Sequence, residues 1–152
     1  MLLAATLLAY RPVVPRGMDA APETFSAARA LGELRELVGN DDSHPIGSPA
    51  NARVRGLIVK RLESLGYRTE LQSGLVCNDG GVCGVPTNII ATFGEAEGND
   101  ALLLAAHYDS VPAGPGASDD GVGVGAVLEI ARILQVRPKP RHALVLLVTD
   151  GE

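Results

Sequence analysis

Two short stretches without a polar side chain, residues 101–106 and 143–148, flank a longer apolar stretch at 121–134. The short ones have the length and uniform hydrophobicity of strands inside a sheet. The long one is apolar on nearly every side, which suits a helix packed deep against that sheet. Strand, loop, helix, strand in this order closes into a right-handed parallel crossover. The expected class is therefore α/β: a mixed, mainly parallel sheet with helices on both faces. The run at 101–106 is itself expected to be buried on both sides.

Upstream, residues 25–38 carry Ala27, Leu31, Leu34 and Val38 at helical spacing, and Gly39-Asn40 stops that helix. A second helix opens at Ser48-Pro49, a hydroxyl cap followed by proline at the first helical position. It presents Val54, Ile58, Leu62 and Leu65 on one face and ends at Gly66. Residues 67–76 and 87–93 read as strands joined antiparallel through a loop that holds Cys77 and Cys83. That cysteine spacing suits a small disulfide-closed loop in an oxidising compartment, or two free thiols in a reducing one. Without a nearby Cys or His pair, the two sulfurs do not make a structural zinc site.

Composition removes several function classes. Thirteen Lys plus Arg against eighteen Asp plus Glu give a net charge of −5, with no basic run to hold a nucleic acid by its phosphates. Disorder is excluded by 46% apolar and only 20% charged residues. Aromatics at 3%, with no Trp, leave no stacking platform for bases or sugars.

The ends are unusual. The first ten residues are almost wholly apolar, half of the roughly 20 needed to span a bilayer. They lack the basic start and cleavage site of a signal peptide. They read as an irregular N-terminus or as the remnant of a membrane anchor. Arg11-Pro12 ends them, and residues 12–22 read as a linker. At the other end, a buried strand stops without a following loop and helix, so the chain is expected to be a piece of something longer.

Ligands in such sheets bind at the carboxyl ends of the parallel strands. One strand there delivers His107-Tyr108-Asp109-Ser110, the other Thr149-Asp150-Gly151-Glu152, and the intervening loop brings Ser118-Asp119-Asp120-Gly121 to the helix start. Like charges do not gather in a cleft without a cation to offset them, and imidazole with carboxylates suits zinc. His107 and Asp109, two apart, share a face when extended, so Asp109 can orient the imidazole. Each feature alone also has a bland reading, a loop histidine or a helix-capping aspartate; their convergence on one rim favours the functional one.

These segments, together with His44-Pro45-Ile46-Gly47-Ser48-Pro49 and Leu65-Gly66-Tyr67 upstream, resemble the co-catalytic zinc aminopeptidases of metallopeptidase family twenty-eight. Within the family the likeness is greatest to the membrane-anchored branch that includes vacuolar membrane protease and endoplasmic reticulum metallopeptidase. The resemblance implies that residues 23–152 are the N-terminal part of a zinc peptidase domain and that residues 1–22 are an apolar start, a candidate membrane anchor, with its linker. It implies two zinc ions in the intact domain, bound by His107 and bridged by Asp119, with Asp109 beside His107 and Glu152 as general base. Asp120 would shape the turn, through an unusual peptide bond after Asp119. The implied partner is a peptide with a free N-terminus, and the implied setting is a membrane-anchored or secreted, extracytosolic domain. Further family ligands would lie beyond Glu152, so these 152 residues alone are expected to bind zinc weakly, to turn over nothing, and to leave an apolar sheet edge open.

Four rivals remain in view. Gly121-Val122-Gly123-Val124-Gly125-Ala126 fits the loose dinucleotide fingerprint, but that motif needs its glycines directly after a strand, and Asp119-Asp120 would repel a pyrophosphate. The glycines are expected instead to allow close helix-to-sheet packing. A glutaminyl-cyclase-like enzyme with one zinc, and a non-catalytic receptor-like or interaction domain of the same fold, are the alternatives within the superfamily. Deacylase-type zinc peptidases share the His-x-Asp strand end but place the bridging Asp much further on.

Overall fold

The apolar runs become adjacent strands. The computed structural model describes residues 13–94 and 100–152; the apolar start at residues 1–10 lies outside them. In chain order come α1 (Ala27–Val38), α2 (Pro49–Ser64), β1 (Thr69–Ser73), β2 (Val76–Cys77), β3 (Cys83–Gly84), β4 (Thr87–Phe93) and β5 (Ala101–His107). A wide helical turn (Ala117–Gly121) then leads into α3 (Val122–Leu134) and β6 (Ala143–Thr149). The main sheet has the order β1-β4-β6-β5, and β2 pairs with β3 in a separate two-stranded ribbon. β5 runs parallel to β6, with His107 opposite Thr149, while β4 is antiparallel to both β6 and β1. The class is α/β with a mixed sheet, and β5–α3–β6 is the expected crossover.

One face of the sheet carries the core. Ile89 and Ala91 of β4, Leu146 and Val148 of β6 and Ala106 of β5 meet Leu37 of α1, Val54, Ile58 and Leu62 of α2, and Val124, Val127, Leu128 and Ala131 of α3. Burial of each large aliphatic side chain stabilises by roughly 1.5–3 kcal/mol. The α2 stripe follows the sequence expectation, and its cap does too: Ser48 Oγ accepts from the Asn51 N–H at 3.0 Å, with Pro49 in the first turn.

Several expectations need correction. The sheet is mixed but not mainly parallel, since among the described residues only its β5–β6 pairing is parallel. Among the described residues the helices pack on one face of the sheet, not two, because the buried residues of all three join the same cluster. β5 is an edge strand, so Leu102 and Leu103 are 60% and 63% exposed rather than buried on both sides. An apolar run reports burial only where neighbours cover it. In α1 the buried residues are Ala30, Leu37 and Val38, while Leu31 is 43% exposed. The reason lies in the glycines of α3. A β-carbon at position 125 would lie 2.6 Å from the Ala30 carbonyl oxygen, so the glycine permits close helix-to-helix packing rather than helix-to-sheet packing.

A buried charge pins this helix pair. Glu129, fully buried in α3, accepts from the Ser26 N–H at 3.0 Å, Arg29 Nε at 2.9 Å and Arg132 Nε at 2.7 Å. Burial alone would raise its pKa, but the Arg132, Ser26 and Arg29 contacts outweigh it and hold the carboxyl below its ordinary value. Arg29 also donates to the carbonyls of Met18, Ala20 and Thr24. The stretch read as a linker is thereby folded around one guanidinium.

Candidate metal centre

Parallel strands end on the same side, so the residues after β5 and β6 share a rim. His107 closes β5, and the wide turn at Ala117–Gly121 folds Asp119 back onto it: His107 Nε2 lies 3.0 Å from Asp119 Oδ1. From β6, Gly151 adopts φ +83°, a left-handed turn that glycine accepts without strain, and Glu152 follows it. Glu152 Oε2 then lies 2.9 Å from the same His107 Nε2. The three donor atoms fall within 4.8 Å of one another.

Asp109 ties two of these groups together. Its Oδ2 accepts the Glu152 backbone N–H at 3.2 Å, and its Oδ1 faces His107 Nδ1 at 3.4 Å. Both Nδ1 and this Oδ1 are buried, and neither has a hydrogen-bond partner. A proton on Nδ1 would sit beside that carboxylate oxygen and leave the Nε2 lone pair facing the Asp119 and Glu152 carboxylates. Three electron-rich atoms at that spacing repel unless a proton or a cation lies among them. The donor set therefore fits a divalent ion such as zinc.

The titration of His107 carries the same signature. Partial burial pulls its pKa down, but the Asp119 hydrogen bond and the charges of Glu152, Asp109 and Asp120 overcome this and raise it above the ordinary 6.5. The pocket favours positive charge at Nε2.

Asp120 does not join the cluster. Its Oδ1 accepts the Gly123 N–H at 3.1 Å, capping the start of α3, and the peptide bond between Asp119 and Asp120 is cis. Cys77 and Cys83 are joined as a disulfide. The open cleft at the rim encloses about 490 Å³ and includes His107, Asp119, Glu152, Ile46 and Ser110 in its wall.

Several supporting residues escaped the sequence reading. Buried Asp150 accepts from Asn51 Nδ2 at 2.8 Å and the Thr87 N–H at 2.9 Å, and its own N–H donates to Asn88 Oδ1 at 3.1 Å. This stitching fixes the strand end that carries Glu152. Asn51 had left a signal: it heads the stripe of Val54, Ile58 and Leu62, a polar residue on an apolar face. His44 and Ser110 exchange two hydrogen bonds, His44 N–H to Ser110 Oγ at 2.8 Å and Ser110 N–H to His44 O at 3.3 Å. They hold the loop that carries Ile46 against the cleft.

Residues 88–152, which contain all of these donor groups, match the family model described as Peptidase family M28. Over these residues the chain is similar to peptidase family M28. The whole chain is 30% identical to vacuolar membrane protease of Ajellomyces dermatitidis, over 100% of its own length and 20% of that protein. It is 29% identical to vacuolar membrane protease of Paracoccidioides lutzii over 99% of its length and 19% of that protein. The chain thus spans about one fifth of the curated relatives it matches. Among solved structures, a glutaminyl cyclase of Porphyromonas gingivalis superimposes with a TM-score of 0.75 at 31% identity, covering 84% of this chain and 46% of that one. A Zn-dependent exopeptidase of Parabacteroides distasonis gives 0.73 at 26%, covering 87% and 49%. The family match and these neighbours support a metallopeptidase-like fold for the described chain. Among the described residues no helix is long and apolar enough to cross a membrane.

Proposed function

We propose that the protein is a zinc-dependent aminopeptidase that hydrolyses the N-terminal bond of a peptide. The observation that carries the reading is the convergence of His107 Nε2, Asp119 Oδ1 and Glu152 Oε2 at neighbouring strand tips. His107 and Asp119 would hold metal, with Asp119 offering a second carboxylate oxygen to bridge two ions. Zinc bound there would supply an acidified water and a positive field for the scissile carbonyl oxygen. Asp109 keeps the imidazole proton on Nδ1 and so keeps Nε2 available as a ligand. Glu152, exposed at the rim, takes the proton of the attacking water and passes it to the leaving amine. Its backbone is fixed by Asp109 Oδ2, so base and ligand are set by one carboxylate.

The second reading is glutaminyl cyclisation with one zinc, favoured by the likeness to the Porphyromonas gingivalis cyclase. The alignment of the whole chain to one fifth of a vacuolar membrane protease supports hydrolysis instead. The same relatives support membrane association, and the Cys77–Cys83 disulfide supports an extracytosolic setting. Assaying the zinc-loaded full-length protein on leucine 4-nitroanilide and on a Gln-initiated peptide separates the two chemistries. Anilide release without pyroglutamate is the expected result, and cyclisation alone would overturn it. Glu152→Gln is expected to lower kcat by about 10²–10⁴-fold while zinc content is retained.

A further inference from the structure

Next to the metal cleft lies a second recess of about 270 Å³, whose wall includes Ile46, Val76, Val82, Pro86 and the Cys77–Cys83 disulfide. Gly151 and Glu152 border it as well. Ile46 and Glu152 line both cavities, so the recess adjoins the site across these two side chains. Its volume falls below the roughly 300–1,000 Å³ of sites that hold a whole ligand, and so suits one side chain.

Its wall is mostly apolar, yet left open. Val76 and Val82 are 57% and 70% exposed, so they do little for the core. A ribbon of two-residue strands is marginal on its own. Here the disulfide closes it, and Asn78 Oδ1 accepts the N–H groups of Gly80 and Val82, each at 3.0 Å. Ile46 is seated with equal care. A β-carbon at Gly84 or at Gly151 would lie 3.0 Å from Ile46 Cδ1. The two glycines thus leave room for Ile46 to stand between the cavities.

We propose that this recess is a specificity subsite that takes an apolar side chain of the peptide substrate, with the disulfide-closed ribbon and Ile46 as its walls. The proposal rests on the peptidase reading above, because it is Glu152 that brings substrate to its edge. An apolar side chain placed there removes Val76, Val82 and Ile46 from water together with itself, and each methylene so buried contributes to discrimination between substrates. A charged side chain would lose hydration against Val76, Val82 and Ile46, and the carboxylate at the border, Glu152, already faces His107 at 2.9 Å.

The test uses the full-length protein, loaded with zinc, and two peptide series: X-Ala-Ala varied at the first residue and Ala-X-Ala varied at the second, with X as Leu, Ala or Lys. In one series the wild type is expected to favour Leu over Ala in kcat/KM by about tenfold or more. Val82→Asp should remove that preference and raise the Lys to Ala ratio in the same series. The paired Cys77→Ser/Cys83→Ser variant should weaken the preference through a looser wall. Calorimetric binding of the same peptides to the metal-free protein gives a readout independent of turnover. Cleavage with Leu to Ala ratios unchanged by Val82→Asp in both series overturns the subsite and leaves the peptidase reading standing. Binding preference that Val82→Asp abolishes, without any cleavage, keeps the subsite and overturns the peptidase reading. Equal losses for every peptide would mean that another segment of the protein fills the recess, and would also overturn it.

Discussion

One carboxylate sets two neighbours in place at the rim. Asp109 meets the imidazole with one oxygen and the Glu152 backbone with the other, so its loss disturbs metal affinity and base position together. Asp109→Asn is expected to weaken zinc binding about 10–100-fold, measured by competition with a chromogenic chelator. A second carboxylate, Glu129, acts on stability instead. Glu129→Ala should destabilise by about 3 kcal/mol, the lower end for breaking a buried ion pair, since Arg29 and Arg132 keep some contact with water. Because its pKa is lower in the folded state, Glu129 stabilises fully above its unfolded value, near 4.5, and that contribution disappears as pH falls through the folded value. Denaturant midpoints should therefore drop on acidification below pH 4.5 in the wild type and drop less in Glu129→Gln. The proposed metal residues were legible because their chemistry sits in short segments at two strand ends and in the turn between them. Glu129 was not, because its partners Ser26 and Arg29 lie about a hundred positions away and nothing local announces them.

Elements were read well where a single pattern decided them and less well where packing did. The stripe of α2 and the two apolar strands follow from periodicity and run length. The buried face of α1 does not, since α1 is oriented by the glycine surface of α3 rather than by its own leucines. Gly125→Ala tests this directly. The added methyl would meet the Ala30 carbonyl at 2.6 Å, a backbone atom that cannot move aside cheaply. A loss of about 1–3 kcal/mol is expected, read from urea unfolding, and a neutral result would mean that the helix pair is looser than described. β5 shows the same limit from the other direction. Its sequence states that it prefers an apolar environment, and only the structure shows that Leu102 and Leu103 face solvent among the described residues.

The molecule as a whole gathers its polar chemistry at one end of a mixed sheet and leaves the other elements to hold that end still. Asn51 from α2, Thr87 and Asn88 from β4 and the His44–Ser110 pair all brace the rim, which lets exposed Asp119 and Glu152 remain free to meet a cation. The fold class and the rim were legible because crossover connections are right-handed and put functional residues at carboxyl ends. The bracing network was not, since it joins four distant segments through single polar atoms. The account turns on whether the Nε2 atom of His107 faces a cation site. Imidazole ¹⁵N spectra of the protein titrated with zinc measure that directly, with His44 and His142 as internal references. The account predicts that the His107 Nε2 resonance shifts on zinc addition while Nδ1 stays protonated toward Asp109; His107 resonances unchanged at saturating zinc in the folded protein would contradict it.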